Sequence, residues 1–208
     1  MIETEEQARD YVAGLANKVA MERLDRFSEL LIAENRQQNL ISKPSEVQIW
    51  QRHFADSAQL LEHVPRETLQ GDRGGPWLDL GTGAGFPGIV IAALCPDLET
   101  VLVESRARRV EFLQRCCDDL GLTRCTVMGD RLERIEPFES RVISARAFAP
   151  LEKLLRLSAP FSTKDTLYLL PKGRSAAQEL DQLNRSIRTM FHVEQSLTDR
   201  EAGIIVRS

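Results

Sequence analysis

The sequence predicts a doubly wound α/β fold: a seven-stranded Rossmann-like sheet preceded by an N-terminal helical extension. Three observations predict it. From residue 77 onward short apolar runs alternate with amphipathic helical ones; a glycine-rich turn, Gly81-Thr82-Gly83-Ala84-Gly85-Phe86-Pro87-Gly88, joins the first such run to the first such helix; and the residues before 70 show helical spacing alone. Strands that alternate with helices need crossover connections, and hence a mainly parallel sheet. A chain of 208 residues holds one such core and a modest extension, not two catalytic domains.

In chain order, Val12, Leu15, Val19, Leu24, Phe27, Leu30 and Leu31 recur at helical spacing, which predicts one or two amphipathic helices over 4–34. Polar and turn-forming residues occupy 37–44, and a further helix is expected over 47–61 with Ser45 as its N-cap. Residues 1–70 therefore read as a helical cap and 71–208 as the core, divided by the turn-rich Gly71-Asp72-Arg73-Gly74-Gly75-Pro76. Strands are expected over 77–80, 100–104, 125–128, 142–144, 166–170, 191–196 and 203–207, and helices over 87–95, 106–120, 150–158 and 176–185. The last two strands have no helix between them, so they should pair as an antiparallel hairpin at the sheet edge.

The charge balance, 27 basic against 31 acidic residues for a net −4, excludes a protein that coats nucleic acid by bulk electrostatics. It leaves room for a local basic patch, because arginines crowd the middle of the chain from Arg106 to Arg146. Cys95, Cys116, Cys117 and Cys125 lack CxxC spacing and read as free thiols, so no metal is expected. The acidic N-terminus has no apolar leader, and no apolar run approaches the length needed to span a bilayer. A cytoplasmic protein with no membrane partner is the expectation.

The most informative segment is Trp77-Leu78-Asp79-Leu80 followed by the glycine turn. Gly81, Gly83 and Gly85 permit positive φ and the close approach of a ligand to the main chain, at the carboxyl end of the sheet where doubly wound folds bind ligands. Residues 83–88 also satisfy the dinucleotide pattern G-x-G-x-x-G, with Glu104 about twenty residues on. Asp79 separates the two readings. A pyrophosphate seeks the positive end of a helix and would be repelled by a carboxylate beside it, whereas S-adenosylmethionine carries a sulfonium and an ammonium that an acid-tipped strand attracts. The chain thus reads as an adenosylmethionine-dependent transferase, with a nicotinamide-dependent oxidoreductase as the alternative. Glu104, at the tip of the second strand, is suited to accept both ribose hydroxyls, and adenine would rest near Arg131 and Leu132.

These residues lie among others that carry a more specific likeness. Asn39-Leu40-Ile41-Ser42, Arg52-His53-Phe54-Ala55-Asp56-Ser57, the run from Asp79 to Gly88, Glu104-Ser105, Arg108-Arg109-Val110-Glu111-Phe112-Leu113, Arg146-Ala147-Phe148-Ala149 and Pro171-Lys172-Gly173 follow one another along the chain. Together they resemble the bacterial small-subunit ribosomal RNA guanine-N7 methyltransferases, the glucose-inhibited division protein B family, over roughly residues 25–207. The resemblance implies a class I methyltransferase sheet, S-adenosylmethionine as cofactor with S-adenosylhomocysteine as product, and methylation of a guanine N7 in 16S rRNA near the decoding region. It implies cofactor contacts at Gly81, Phe86, Leu132, Glu133 and Arg146. The chain departs from the family pattern at Arg141, where an acid is usual, and at Ala145, where a serine or threonine is usual.

Guanine N7 has an in-plane lone pair and no proton at neutral pH, so no general base is required and no proton-transfer residue is assigned. Positioning alone can supply roughly 7–11 kcal/mol of barrier reduction. Arg146 and Lys172 are candidates to bind guanine O6 or a nearby phosphate while leaving N7 free. Arg108 and Arg109, with Arg106, could track the RNA backbone. His53 and Asp56, three apart on one helix face, could line the cleft and organise Asn39 and Ser42. The expected partner is 16S rRNA or the small ribosomal subunit, met by a monomer; a non-catalytic RNA-binding regulator is the alternative outside enzymology.

Overall fold

A computed structural model describes residues 1–69 and 75–207. The predicted boundary between cap and core, at residues 70–71, and most of the turn-rich link lie outside the described residues. Strands β1 (Trp77–Leu80), β2 (Thr100–Val103), β3 (Cys125–Met128), β4 (Ser140–Ser144), β5 (Ser162–Lys172), β6 (His192–Gln195) and β7 (Gly203–Arg207) form one sheet in the order β3-β2-β1-β4-β5-β7-β6. Strands β1 to β5 run parallel, and β7 is antiparallel to both β5 and β6, so the expected edge hairpin is present. All residues of β1 are buried, as a central strand covered on both faces requires. The strand order reverses between β1 and β4, and there the carboxyl ends of neighbouring strands open a crevice.

Helices α1 (Glu5–Leu15) and α2 (Lys18–Gln38) realise the predicted N-terminal pair, each opened by a side-chain cap, Thr4 to the Gln7 N–H and Asn17 to the Ala20 N–H. Beyond them the structure departs from the predicted 47–61 helix. A short α3 (Lys43–Glu46) comes first with Ser42, not Ser45, at its N-cap position. The chain then winds through a π turn (Trp50–Ala55), an α turn α4 (Asp56–Ala58) and a 3₁₀ stretch (Gln59–His63). The physical reason is long-range. The carboxylate of Glu5 accepts from Trp50 N at 3.0 Å and Gln51 N at 2.8 Å, a cap supplied from 45 and 46 residues away that no local pattern reveals.

The remaining helices are α5 (Gly88–Leu94), α6 (Ala107–Asp119), α7 (Leu151–Ser158), α8 (Ala176–Asp181) and α9 (Arg185–Arg188). The helix predicted over 176–185 is broken, because Asn184 leaves it to cap α9 by accepting from Ile187 N at 3.0 Å. Strand β5 extends at both ends beyond the predicted 166–170.

The N-terminal helices share a hydrophobic core with α5 and α6: Val12, Leu24, Phe27, Leu31 and Phe54 pack with Phe86, Ile89, Leu113 and Cys116. Phe86, in the glycine turn, lies 5.4 Å from Phe27 and 5.9 Å from Phe54, ring centre to ring centre. Burying such rings stabilises by about 1.5–3 kcal/mol each. The helical extension is thereby fixed to the glycine turn.

Candidate functional site

The centre of the crevice is built on Asp79. Its carboxylate accepts from Gly88 N at 3.0 Å and from the Ser144 hydroxyl at 2.8 Å, and Ser144 in turn accepts from Trp77 Nε1 at 2.8 Å. The side chain is fully buried. Burial pushes its pKa up, against the hydrogen bonds from Ser144 and Gly88 and the field of Arg146. This corrects the expectation of an acid facing a bound cation, because both oxygens are directed into the protein. Asp79 stitches β1 to β4 and holds the first amide of α5, and so shapes the turn from behind. The turn needs its glycines: Gly81, Gly83 and Gly85 have φ of +64°, +61° and +100°.

In front of the turn is a cavity of about 380 Å³ whose walls include Gly81, Val103, Glu104, Arg109, Leu132, Glu133 and Phe148. Glu104 is its anchor. One oxygen accepts from Ser105 N at 2.8 Å and Arg106 N at 2.9 Å, which orients the carboxylate; the other lies 3.6 Å from Arg109 Nη1, beyond hydrogen-bond length, and keeps accepting capacity. A Cβ on Gly81 would sit 2.5 Å from a ring carbon of Phe148, so the missing side chain lets that ring pack against the turn. Apolar Val103 and Leu132 stand beside the polar Glu104, the mixture suited to a nucleoside.

Behind residues 147–149 a second cavity of about 1050 Å³ opens toward the helical extension. Its cations come from distant elements, and each is partnered. Arg52 meets Asp199 at 3.0 Å; Arg146 lies 3.6 Å from Asp56, donates to Arg52 O at 3.2 Å and sits over the Phe86 ring at 4.9 Å; Lys172 Nζ donates to Glu179 at 2.9 Å and Ala149 O at 3.0 Å. Asp56 also accepts from Thr198 Oγ1 at 2.8 Å, which ties the helical run to the loop before β7. His53 stacks on Phe86 at 4.8 Å, and neither ring nitrogen has a hydrogen-bond partner. Burial first, then the fields of Arg146 and Arg52, push its pKa down to about 3, so the imidazole is neutral at physiological pH.

Of the residues expected to bind cofactor, Gly81, Glu104, Leu132 and Glu133 gather on the smaller cavity. Asp79 lines neither cavity, nor does the Phe86 side chain, which is held in the aromatic core. Arg146, implied as a cofactor contact, stands on the larger cavity with Ser42, His53, Asp56 and Lys172. Arg109, expected to track RNA, lies on the smaller one beside Glu104, while Arg108 is exposed. Asn39 takes a left-handed conformation (φ 44°) that ends α2, and lies on neither wall. Lys172 is buried in its ion pair rather than free to reach a phosphate. Sequence reasoning missed Ser144, Arg52, Glu179 and Asp199. Ser144, Arg52 and Asp199 rest on partners far away in the chain and Glu179 on how β5 meets α8, although Arg52 lay within a motif already singled out.

The described residues hold no cluster of three or more His, Cys, Asp or Glu side chains arranged for a metal, and no helix among them is long and apolar enough to cross a membrane. A family model described as rRNA small subunit methyltransferase G matches residues 20–203. A protein of Erythrobacter litoralis named Ribosomal RNA small subunit methyltransferase G is 57% identical over 206 residues, covering 99% of this chain and 97% of its own. One of the same name from Novosphingobium aromaticivorans is 56% identical over 187 residues, covering 90% and 80%. Among solved structures, the Geobacter metallireducens precorrin-6y C5,15-methyltransferase superposes with a TM-score of 0.52 at 13% identity, over 82% of this chain and 91% of its own. Aeropyrum pernix fibrillarin with bound S-adenosyl-L-methionine gives 0.53 at 14% identity, over 76% and 75%. At such identities the likeness speaks to fold alone, that of a class I methyltransferase sheet.

Proposed function

The chain belongs to the rRNA small subunit methyltransferase G family, and from that premise we propose that it transfers a methyl group from S-adenosylmethionine to N7 of a guanine in 16S rRNA, near the decoding region. One observation carries the reading: two cavities of unequal size share a wall at residues 147–149, the smaller formed by the glycine turn and Glu104 and the larger by residues of the helical extension and the edge hairpin.

The residues of the smaller cavity fit the donor. Glu104 retains an oxygen for ribose hydroxyls, and Val103 and Leu132 offer apolar contact to a base. Bound there, S-adenosylmethionine would supply an electrophilic methyl on a sulfonium. A dinucleotide fits less well, because Gly88 N–H, the first amide of α5, already donates to the Asp79 carboxylate, and a pyrophosphate would meet that acid.

The larger cavity would hold the acceptor nucleotide. Arg52 and Arg146 stand on its wall in exchangeable pairings with Asp199 and Asp56, and a phosphate or guanine O6 could take the place of either carboxylate. His53 is neutral and buried, so it neither repels nor protonates the base. With no proton to remove from N7, the protein's work is to orient the base edge toward the methyl and to exclude water. The reading has the chain act as a monomer in the cytoplasm, where small subunits are assembled.

Incubation with labelled S-adenosylmethionine and small subunits from a strain lacking the methylation tests the proposal. Borohydride reduction and aniline should then cleave the labelled 16S rRNA at one guanine. Label without such cleavage would refute N7 as the target, and absence of label would favour a non-catalytic RNA-binding protein.

A further inference from the structure

Ala147, Phe148 and Ala149 line both cavities, so this tripeptide is the partition between them. Its ends are held. On one side the Arg146 guanidinium donates to Arg52 O at 3.2 Å; on the other Lys172 Nζ donates to Ala149 O at 3.0 Å, and Lys172 is itself fixed by Glu179. Between these anchors Ala147 adopts φ +55°, a left-handed conformation that L-residues avoid unless their surroundings impose it. The consequence is the placement of Phe148. Its ring is half-buried and lies against the backbone of Gly81, at the border of the two spaces.

We infer that Phe148 is the platform on which the acceptor base stacks, so that the ring sets the plane of the base and turns its edge toward the methyl donor. The inference rests on the base-methylation reading above. A nitrogen lone pair lies in the plane of its base, so transfer requires the base to meet the methyl edge-on, and a flat apolar surface imposes that plane without occupying the nitrogen. Among the described residues lining these cavities, the aromatic rings are those of His53 and Phe148, and His53 is already stacked on Phe86. Phe148 is half-buried, and part of its ring is exposed where the two cavities meet. The left-handed Ala147 is then the backbone cost of aiming it there.

The test compares wild type with Phe148→Ala, Phe148→Leu and Phe148→Tyr in three measurements: methyl transfer to small subunits, S-adenosylhomocysteine binding by calorimetry, and thermal melting. Stacking on an aromatic ring predicts that Ala and Leu each lower kcat/KM for RNA by about 30-fold, that Tyr recovers about tenfold or more of that loss, and that product affinity changes by no more than about threefold. Leu fills the same wall without a π face, so transfer by Phe148→Leu at the wild-type rate would overturn the inference. So would a fall in product affinity matching the fall in transfer, which would assign the ring to the donor. Should Phe148→Ala melt too low to assay, the Leu and Tyr variants decide alone. Wild type that labels no RNA would remove the base-methylation reading and this inference with it, whereas active wild type with an equally active Leu variant sinks only the inference.

Discussion

The two cavities differ in how they are assembled. The smaller is made where β1 and β2 and the loops after β3 and β4 end side by side, and its polar anchor, Glu104, is oriented by the amides of the two residues that follow it. The larger draws on residues 42–56, 146–150, 171–179 and 196–204, and its charged groups are fixed by partners such as Arg52 with Asp199, separated by most of the chain. A nucleoside of constant shape can be met by a short local motif repeated in every doubly wound transferase. A folded RNA demands a surface of its own, and on the proposed reading that surface is assembled from the elements that surround the common sheet.

Asp79 ties β1 to β4 and to the start of α5, beneath the residues that lead into both cavities, and Asp79→Ala is therefore expected to have the largest effect. Removing the buried carboxylate leaves the Ser144 hydroxyl and the Gly88 N–H without an acceptor, and unfolding free energy should fall by about 3 kcal/mol or more, as read by chemical denaturation. Retention of full stability would mean that the turn does not depend on this acid.

Arg146→Ala separates the cavities. With its guanidinium on the larger wall, transfer to RNA should drop by about 100-fold while S-adenosylhomocysteine affinity holds, since losing a charge-assisted contact to the acceptor acts on that side alone. An equal loss of product affinity would return Arg146 to the donor side, where the family resemblance puts it. Glu104→Gln is the mirror experiment: product binding should weaken by about 30-fold, the worth of one hydrogen bond to a charged group, and the RNA KM should stay within about threefold of wild type.

The smallest effect concerns His53. Its unfolded pKa of 6.5 falls to about 3 in the fold, so the unfolded chain binds more protons between those values and stability rises with pH across that window. The contribution is fully present above pH 6.5 and is lost as pH falls toward 3. Between pH 8 and pH 5.5 wild type should lose about 1 kcal/mol more than His53→Gln. Identical pH dependence in the two proteins would mean that the imidazole is not held neutral.

The same contrast explains what was legible in the sequence. The sheet could be read, with β1, β3 and β7 bounded as predicted, because apolar runs between turn signals are local. The glycine turn and Glu104 could be read because close backbone approach and an acid at a strand tip are written in consecutive residues. The run 50–63 could not, since Glu5 supplies the cap that shapes its start. Nor could the direction of Asp79, because the Ser144 hydroxyl that turns it inward belongs to β4. The pairing of Lys172 with Glu179 lies only seven residues away, yet it depends on how β5 ends and α8 begins.

Division of labour between the cavities is tested most directly by a crystal structure with S-adenosylhomocysteine. The product should occupy the smaller cavity, its ribose on Glu104, its base beside Leu132 and its sulfur toward Phe148, with the space around Arg52 and Arg146 left open. Density for the product in the larger cavity, or in neither, would contradict the account.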